Sequence, residues 1–179
     1  GRDICFKSEN EIIIANNFNL KIIKLDINKK IEGNFNNEIT ALSRNSKGNI
    51  LIGFDNGNIL ECDSNLNKIH KYSSISDRIS VLDYLDDTII ISGSYDYSIV
   101  IQNKENILYS KILDDWIIGL NILNHEILVC SWNGSLKKLT NKLEDISEFV
   151  TITKKATFFC QQDNNLFISY NDGSINLFN

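Results

Sequence analysis

Proline and methionine are absent from the chain, and histidine occurs only at His70 and His125. With no proline and only 9 glycines, collagen-like and Pro-rich architectures are excluded. The four cysteines lie at positions 5, 62, 130 and 160 without a Cys-x-x-Cys pair, which argues against a zinc site and against a thioredoxin-like motif. They read as buried thiols in a reducing compartment, because Ile4-Cys5-Phe6, Val129-Cys130-Ser131 and Phe159-Cys160-Gln161 are strand-like runs in which Cys acts as a small hydrophobe. Long hydrophobic runs are missing as well. Stretches such as Ile12 to Ala15 and Thr88 to Ile91 fall far short of the roughly 20 residues that span a bilayer. No charged start leads into an apolar run, so no signal peptide is visible, and a chain that begins at Gly1 without any Met reads as an excised or processed piece. A formal net charge of -5 lacks the basic excess of a dedicated nucleic-acid or anionic-membrane binder and leaves room only for a local basic patch.

What the chain does have is β-branched side chains and turn formers. Of 179 residues, 42% are hydrophobic and 23% charged, the balance of one globular domain with a sizeable core. The 30 isoleucines and 25 asparagines give short β-branched runs separated by turn residues, the composition of an all-β protein.

One unit recurs five times. The segments EIIIANNFNLKIIKLD, NILIGFDNGNILECD, TIIISGSYDYSIVIQN, EILVCSWNGSLKKLT and NLFISYNDGSINLFN share a plan of apolar strand, polar turn and second strand. With Asn19, Asn56, Asp96, Asn133 and Asp172 as equivalent turn residues, the intervals are 37, 40, 37 and 39. Asn and Asp suit this place because they tolerate left-handed backbone and bond their own chain two residues on, and Gly57, Gly134 and Gly173 follow for the first reason. A further apolar run precedes each pair, at Ile4 to Phe6, Ile39 to Leu42, Ile79 to Leu82, Ile117 to Leu120 and Ala156 to Phe159. A weaker fourth strand follows at Lys30 to Phe35, Lys68 to Tyr72, Ile107 to Ile112 and Ile146 to Ile152. The units run over about 3–37, 38–77, 78–115, 116–154 and 155–179 of a single domain, the last without its fourth strand.

A period near forty with four strands per unit predicts β-propeller blades, since each small sheet must stack its apolar faces on its neighbours around an axis. A β-sandwich also has many short strands, but nothing in it requires the same turn chemistry at one spacing. Ile91 to Asn103 (ISGSYDYSIVIQN) and Ile168 to Asn179 (ISYNDGSINLFN) resemble the strand-turn-strand segment of the WD-repeat (WD40) family, with Gly93, Ser94, Tyr95 and Asp96 in the order that the family uses. The family's closing Trp-Asp pair is degenerate here, as in Cys62-Asp63 and Gln102-Asn103, and its Gly-His pair is missing from every unit. The resemblance implies a propeller of WD40-like blades, either a five-bladed ring with one thin blade or part of a larger ring, most simply of seven blades.

Signatures of catalysis are scarce. No G-x-x-x-x-G-K, G-x-G-x-x-G, G-x-S-x-G or H-E-x-x-H can be written, so no phosphate cradle, nucleophile elbow or zincin site is available, and no catalytic, cofactor-binding or metal-ligating residue is assigned. The two histidines fall on an outer strand and in a loop, without a nucleophile motif beside either. Asp86-Asp87 and Asp114-Asp115 sit in turns, where paired carboxylates cap backbone donors, and Lys137-Lys138 and Lys154-Lys155 read as solvated residues.

A propeller offers a rim of loops held by a rigid ring, and the loops entering the first strand and leaving the second emerge on one face. Glu38, Arg78, Trp116 and Lys155 enter first strands, while Phe54, Tyr95, Tyr97 and Trp132 leave second strands. Trp, Tyr and Arg are the residue types that most often anchor protein interfaces, which makes these eight the candidates for partner binding. Tyr95 and Trp132 occupy a place that also packs between blades, whereas Trp116 stands where its counterparts are charged. The resemblance implies a non-catalytic, intracellular scaffold, cytoplasmic or nuclear, that holds a protein or peptide on this face. Runners-up are a phospho-peptide or carbohydrate-binding propeller and a propeller hydrolase. The last strand, Ser174 to Asn179, is a further place where a partner strand could add.

Overall fold

The computed structural model describes residues 4–8, 11–123, 125–151, 154–162 and 165–178, with the side chains of all of these except 4–8, 148–151 and 161–162. Among the described residues there are nineteen strands and no helix. Four antiparallel sheets have four strands each. The first is β1 (Ile4–Ser8), β2 (Glu11–Asn16), β3 (Asn19–Lys24) and β4 (Lys29–Asn34). The second is β5 (Ile39–Arg44), β6 (Ile50–Phe54), β7 (Ile59–Cys62) and β8 (Lys68–Lys71), and the third is β9 (Ile79–Tyr84), β10 (Ile90–Ser94), β11 (Ser98–Gln102) and β12 (Ile107–Ile112). The fourth is β13 (Ile117–Leu123), β14 (Glu126–Ser131), β15 (Ser135–Thr140) and β16 (Asp145–Thr151). The fifth has three strands, β17 (Ala156–Gln162), β18 (Asn165–Tyr170) and β19 (Ile175–Phe178), so among the described residues β19 is bonded to β18 alone. The sheets stand side by side as blades, with inner strands β1, β5, β9, β13 and β17 packed each on the next.

The turn between the second and third strands of a blade follows one design, with a correction to the sequence reading. Oδ1 of Asn56, Asp96, Asn133 and Asp172 accepts the N–H two residues on, from Asn58, Ser98, Ser135 and Ser174, at 2.9 to 3.2 Å. The left-handed residue is the next one, at Gly57, Tyr97, Gly134 and Gly173. In the first blade the connection is one residue shorter: Asn17 takes the left-handed conformation, and Asn19 is a strand residue whose Nδ2 donates to Oδ1 of Asn34 at 2.6 Å. The two-residue hairpin loop, Asn17 and Phe18, accounts for the shift, because a tight turn needs positive φ at its first central position.

Blades meet through a size match. Ala15, Gly53, Gly93 and Cys130 occupy equivalent places in the second strands, and each shares the interface with the residue that begins the next inner strand: Ile39, Ile79, Ile117 and Ala156. A Cβ at Gly53 would lie 2.7 Å from Cγ2 of Ile79, and one at Gly93 would lie 2.6 Å from Cγ2 of Ile117. Where the inner strand supplies only Ala156, the partner enlarges to Cys130. Four clusters of buried Ile, Leu, Val and Phe fill the seams on either side of these contacts.

In the seam between the second and third blades the carboxylate of Glu61 is fully buried, held by Asn49 Nδ2 at 2.9 Å, Tyr84 Oη at 3.3 Å and Lys104 Nζ at 2.8 Å. Burial, and then the charge of Glu61, raises the hydroxyls of Tyr72 and Tyr84 above the ordinary phenol range. Two of the four cysteines fit the expectation of buried thiols: burial pushes Cys62 up to about 11 and Cys130 up to about 12. Cys160 does not, since it is exposed on the three-stranded blade, and the side chain of Cys5 lies outside the described residues.

Two consequences can be measured. Gly93→Ala places a methyl against Ile117 and Val81 in a packed seam and is expected to lower stability by about 1–3 kcal/mol in urea unfolding; an unchanged midpoint would contradict the packing. For Asp96, burial raises the carboxyl, but donors from Ser98, Ser76 and Ser94 outweigh it and hold it below the usual carboxylate range. A depressed folded pKa stabilises above the unfolded value of about 3.9 and is lost as pH falls through the folded one. Asp96→Asn is therefore less stable than the parent at pH 7, and the gap narrows below about pH 4; an equal gap at both would contradict the turn's charge-assisted bonding.

Candidate functional site

The backbone brings the predicted loop residues together. In each of four blades the residue that enters the inner strand accepts, through its carbonyl, the N–H of the first turn residue after the second strand. The pairs are Glu38 with Asp55 at 3.0 Å, Arg78 with Tyr95 at 3.1 Å, Trp116 with Trp132 at 2.8 Å and Lys155 with Asn171 at 2.9 Å. Just beyond, Thr40, Ser80, Ile118 and Thr157 are the extra residues of β-bulges. Three of these carry hydroxyls that reach backbone carbonyls: Thr40 donates to Gly53 at 3.2 Å, Thr157 to Ser169 at 3.2 Å, and Ser80 lies between the carbonyls of Gly93 and, closer, Ile117 of the next blade. A bulge re-aims the chain locally, and its repetition gives the four entering residues one orientation.

From this follows a continuous line of side chains across blades two to five. Nη1 of Arg78 lies 3.6 Å from Oε2 of Glu38, and its guanidinium sits 5.9 Å over the ring of Tyr95. Tyr95 stacks on Trp116 at 4.9 Å with 15° between the planes, Trp116 meets Trp132 at 5.9 Å and 46°, and Nζ of Lys155 lies 5.7 Å over Trp132. The alternation is within a blade, then between blades: Arg78 to Tyr95, Tyr95 to Trp116, Trp116 to Trp132, Trp132 to Lys155. Both tryptophans of the chain are in the ladder. Its centre, Trp116, is 38% exposed, large for a residue of this size. Beside the line, in the fifth blade, Nζ of Lys154 lies 5.9 Å over the ring of Tyr170 and 2.8 Å from Oδ2 of Asp172.

Between Tyr95 and Trp132, the side chain of Trp116 still offers part of its surface to a partner. The carboxylates around it are engaged locally. Asp77 accepts the N–H of Arg78 at 2.6 Å, Asp115 that of Trp116 at 2.8 Å, and Asp114 pairs with Lys137 at 2.8 Å. The Lys154 ammonium and the donors of Ser174 hold Asp172 far below the usual carboxylate range. The surface is thus an apolar, donor-bearing strip between two cations, suited to burying a partner's side chains while meeting its acceptors.

Six of the eight sequence candidates, Glu38, Arg78, Tyr95, Trp116, Trp132 and Lys155, lie in this line. Phe54 does not. It is the last residue of β6, its side chain is buried against Phe35 with ring centroids 5.6 Å apart, and Asp55 holds the place that corresponds to Tyr95. Tyr97 is 41% exposed but is the left-handed turn residue and joins none of the ring contacts. Asp86 behaves as the turn reading expects, its Oδ1 accepting the N–H groups of Thr88 and Ile89 at 2.7 and 2.8 Å. Lys154 and the bulge residues were missed; the repeated Thr and Ser two places after the entering residue are the signal that marks them. Among the described residues no cluster of His, Cys, Asp and Glu has the arrangement of a metal site.

No protein-family model matches the sequence, and no curated protein matches it. Among solved structures, the computationally designed protein Ika8 is similar at a TM-score of 0.82 and 16% identity, over 97% of this chain and 56% of that one. The WD40 β-propeller domain of Doa1 is similar at 0.80 and 14% identity, over 95% of this chain and 62% of that one. The designed protein Ika4 matches at 0.69 and 19% identity, over 83% of this chain and 94% of that one. The chain thus spans little more than half the length of the first two. Likeness at this level of identity concerns the fold: successive blades of a β-propeller, with a WD40 domain among the similar structures.

Proposed function

We propose that this chain is a non-catalytic interaction scaffold of WD-repeat type, acting inside the cell in the cytoplasm or nucleus, and that it holds a protein or peptide partner on its loop face. The observation that carries this reading is the ladder Arg78-Tyr95-Trp116-Trp132-Lys155, which leaves a half-exposed tryptophan at the centre of a rigid rim. Rigid aromatic residues flanked by cations bury much area at little entropic cost, the composition of interface hot spots. Propeller structures similar to this one, a WD40 domain among them, lend support at the level of fold. The edge of β19 that no described strand pairs with is the second place that we assign to a partner, where an added strand would pair with Ile175–Phe178; Asn179, the end of the segment that the sequence marks, lies outside the described residues.

Selection of binders from a displayed library of random peptides tests the reading. Peptides that bind the chain are expected to change its tryptophan fluorescence and to bind Trp116→Ala at least about tenfold more weakly, with the circular dichroism of the variant unchanged. Selected peptides that bind parent, Trp116→Ala and Trp132→Ala equally would place the interface elsewhere.

A further inference from the structure

We infer that the cleft between the first two blades is a binding site for a phosphate monoester. The cleft has a volume of about 210 Å³ and lies between the end of β4 and the outer strand β8. At about 30 Å³ per water molecule, that is the volume of about seven waters, enough for a phosphoryl group and its attached atoms. Phe35 and Phe54 line it together with Asn58, Lys68 and Lys71.

The walls offer donors. Oδ1 of Asn58 accepts the hydroxyl of Ser74 at 2.7 Å, which leaves the NH2 of that amide to donate. Lys71 lies opposite Leu60 in the sheet and Lys68 opposite Cys62, on the side of the second blade that packs on the first. Neither ammonium makes an ion pair within the described residues, and no carboxylate lines the cleft, on a chain with net charge -5. Two ammonium groups and one amide donor, all carried by the second blade, match an anion of charge near -2 with three terminal oxygens, where a carboxylate supplies one charge and two oxygens. The aromatic part of the lining accommodates the carbon side of the ester. Because the lysines are exposed, binding weakens with salt.

The test is a nuclear magnetic resonance titration of the whole chain with inorganic phosphate, a phosphoserine peptide, its unphosphorylated form, and chloride at matched ionic strength. Saturable shifts are expected at the amides of Asn58, Lys68 and Lys71 with both phosphate ligands, and none with chloride or the unphosphorylated peptide. Lys68→Ala/Lys71→Ala is expected to weaken binding at least fivefold, while Lys21→Ala/Lys30→Ala, which removes paired lysines nearby, leaves it unchanged. Tighter binding of the phosphopeptide than of phosphate assigns the ester to a protein side chain; equal binding assigns it to a small ligand. Trp116→Ala leaves the shifts in place, which separates this site from the ladder. Shifts that chloride reproduces, that fail to saturate, or that survive the double lysine variant overturn the inference.

Discussion

Every blade depends on one contact, the seating of the first residue of an inner strand against a small residue in the second strand of the blade before it. Ile79 against Gly53 and Ile117 against Gly93 approach so closely that a single methyl would intrude, and Cys130 against Ala156 reaches the same fit with the sizes exchanged. Interiors pack to near-crystalline density, so this fit fixes the distance between successive inner strands. The residue just before each seated one is thereby carried to a fixed place on the rim.

The aromatic ladder is a consequence of that spacing. The seated residues are Ile79, Ile117 and Ala156; the residues before them are Arg78, Trp116 and Lys155, each bonded through its carbonyl to the turn of its own blade. The bond sets Arg78 beside Tyr95 and Trp116 beside Trp132, and the seam sets Tyr95 beside Trp116 and Trp132 beside Lys155. Two constraints, one within blades and one between them, generate an alternating stack without any contact that belongs to the ladder alone. In the second blade the same geometry holds Glu38 and Asp55, and the aromatic series gives way to charge.

Repetition made the fold readable: a spacing near forty and the turn Asn or Asp are local features, and the strands fall where β-branched runs do. The ladder residues were readable for the same reason, as one repeat position taken blade by blade. What failed was parity and register. Phe54 and Asp55 are neighbours, and which of them faces the rim depends on where β6 ends, a matter of one residue that reverses the side a chain presents. Asn19 was misplaced because the first turn is shorter by one, which composition alone does not reveal. Cys160 is exposed although its run is as apolar as that of Cys130, since what buries Cys130 is the next blade. The grouping of Phe35 with Asn58, Lys68 and Lys71 joins segments of two units through weak outer strands, and no local pattern announces it.

The most direct test of the account is ring-to-ring proximity on the loop face in solution. Nuclear Overhauser spectra of the whole chain, with the two indole systems assigned, should show cross-peaks from Trp116 to both Tyr95 and Trp132, together with ring-current shifts of the Arg78 and Lys155 side-chain protons. An indole of Trp116 with no cross-peak to either ring and with shifts of a free side chain would contradict the spacing of the blades and the ladder together.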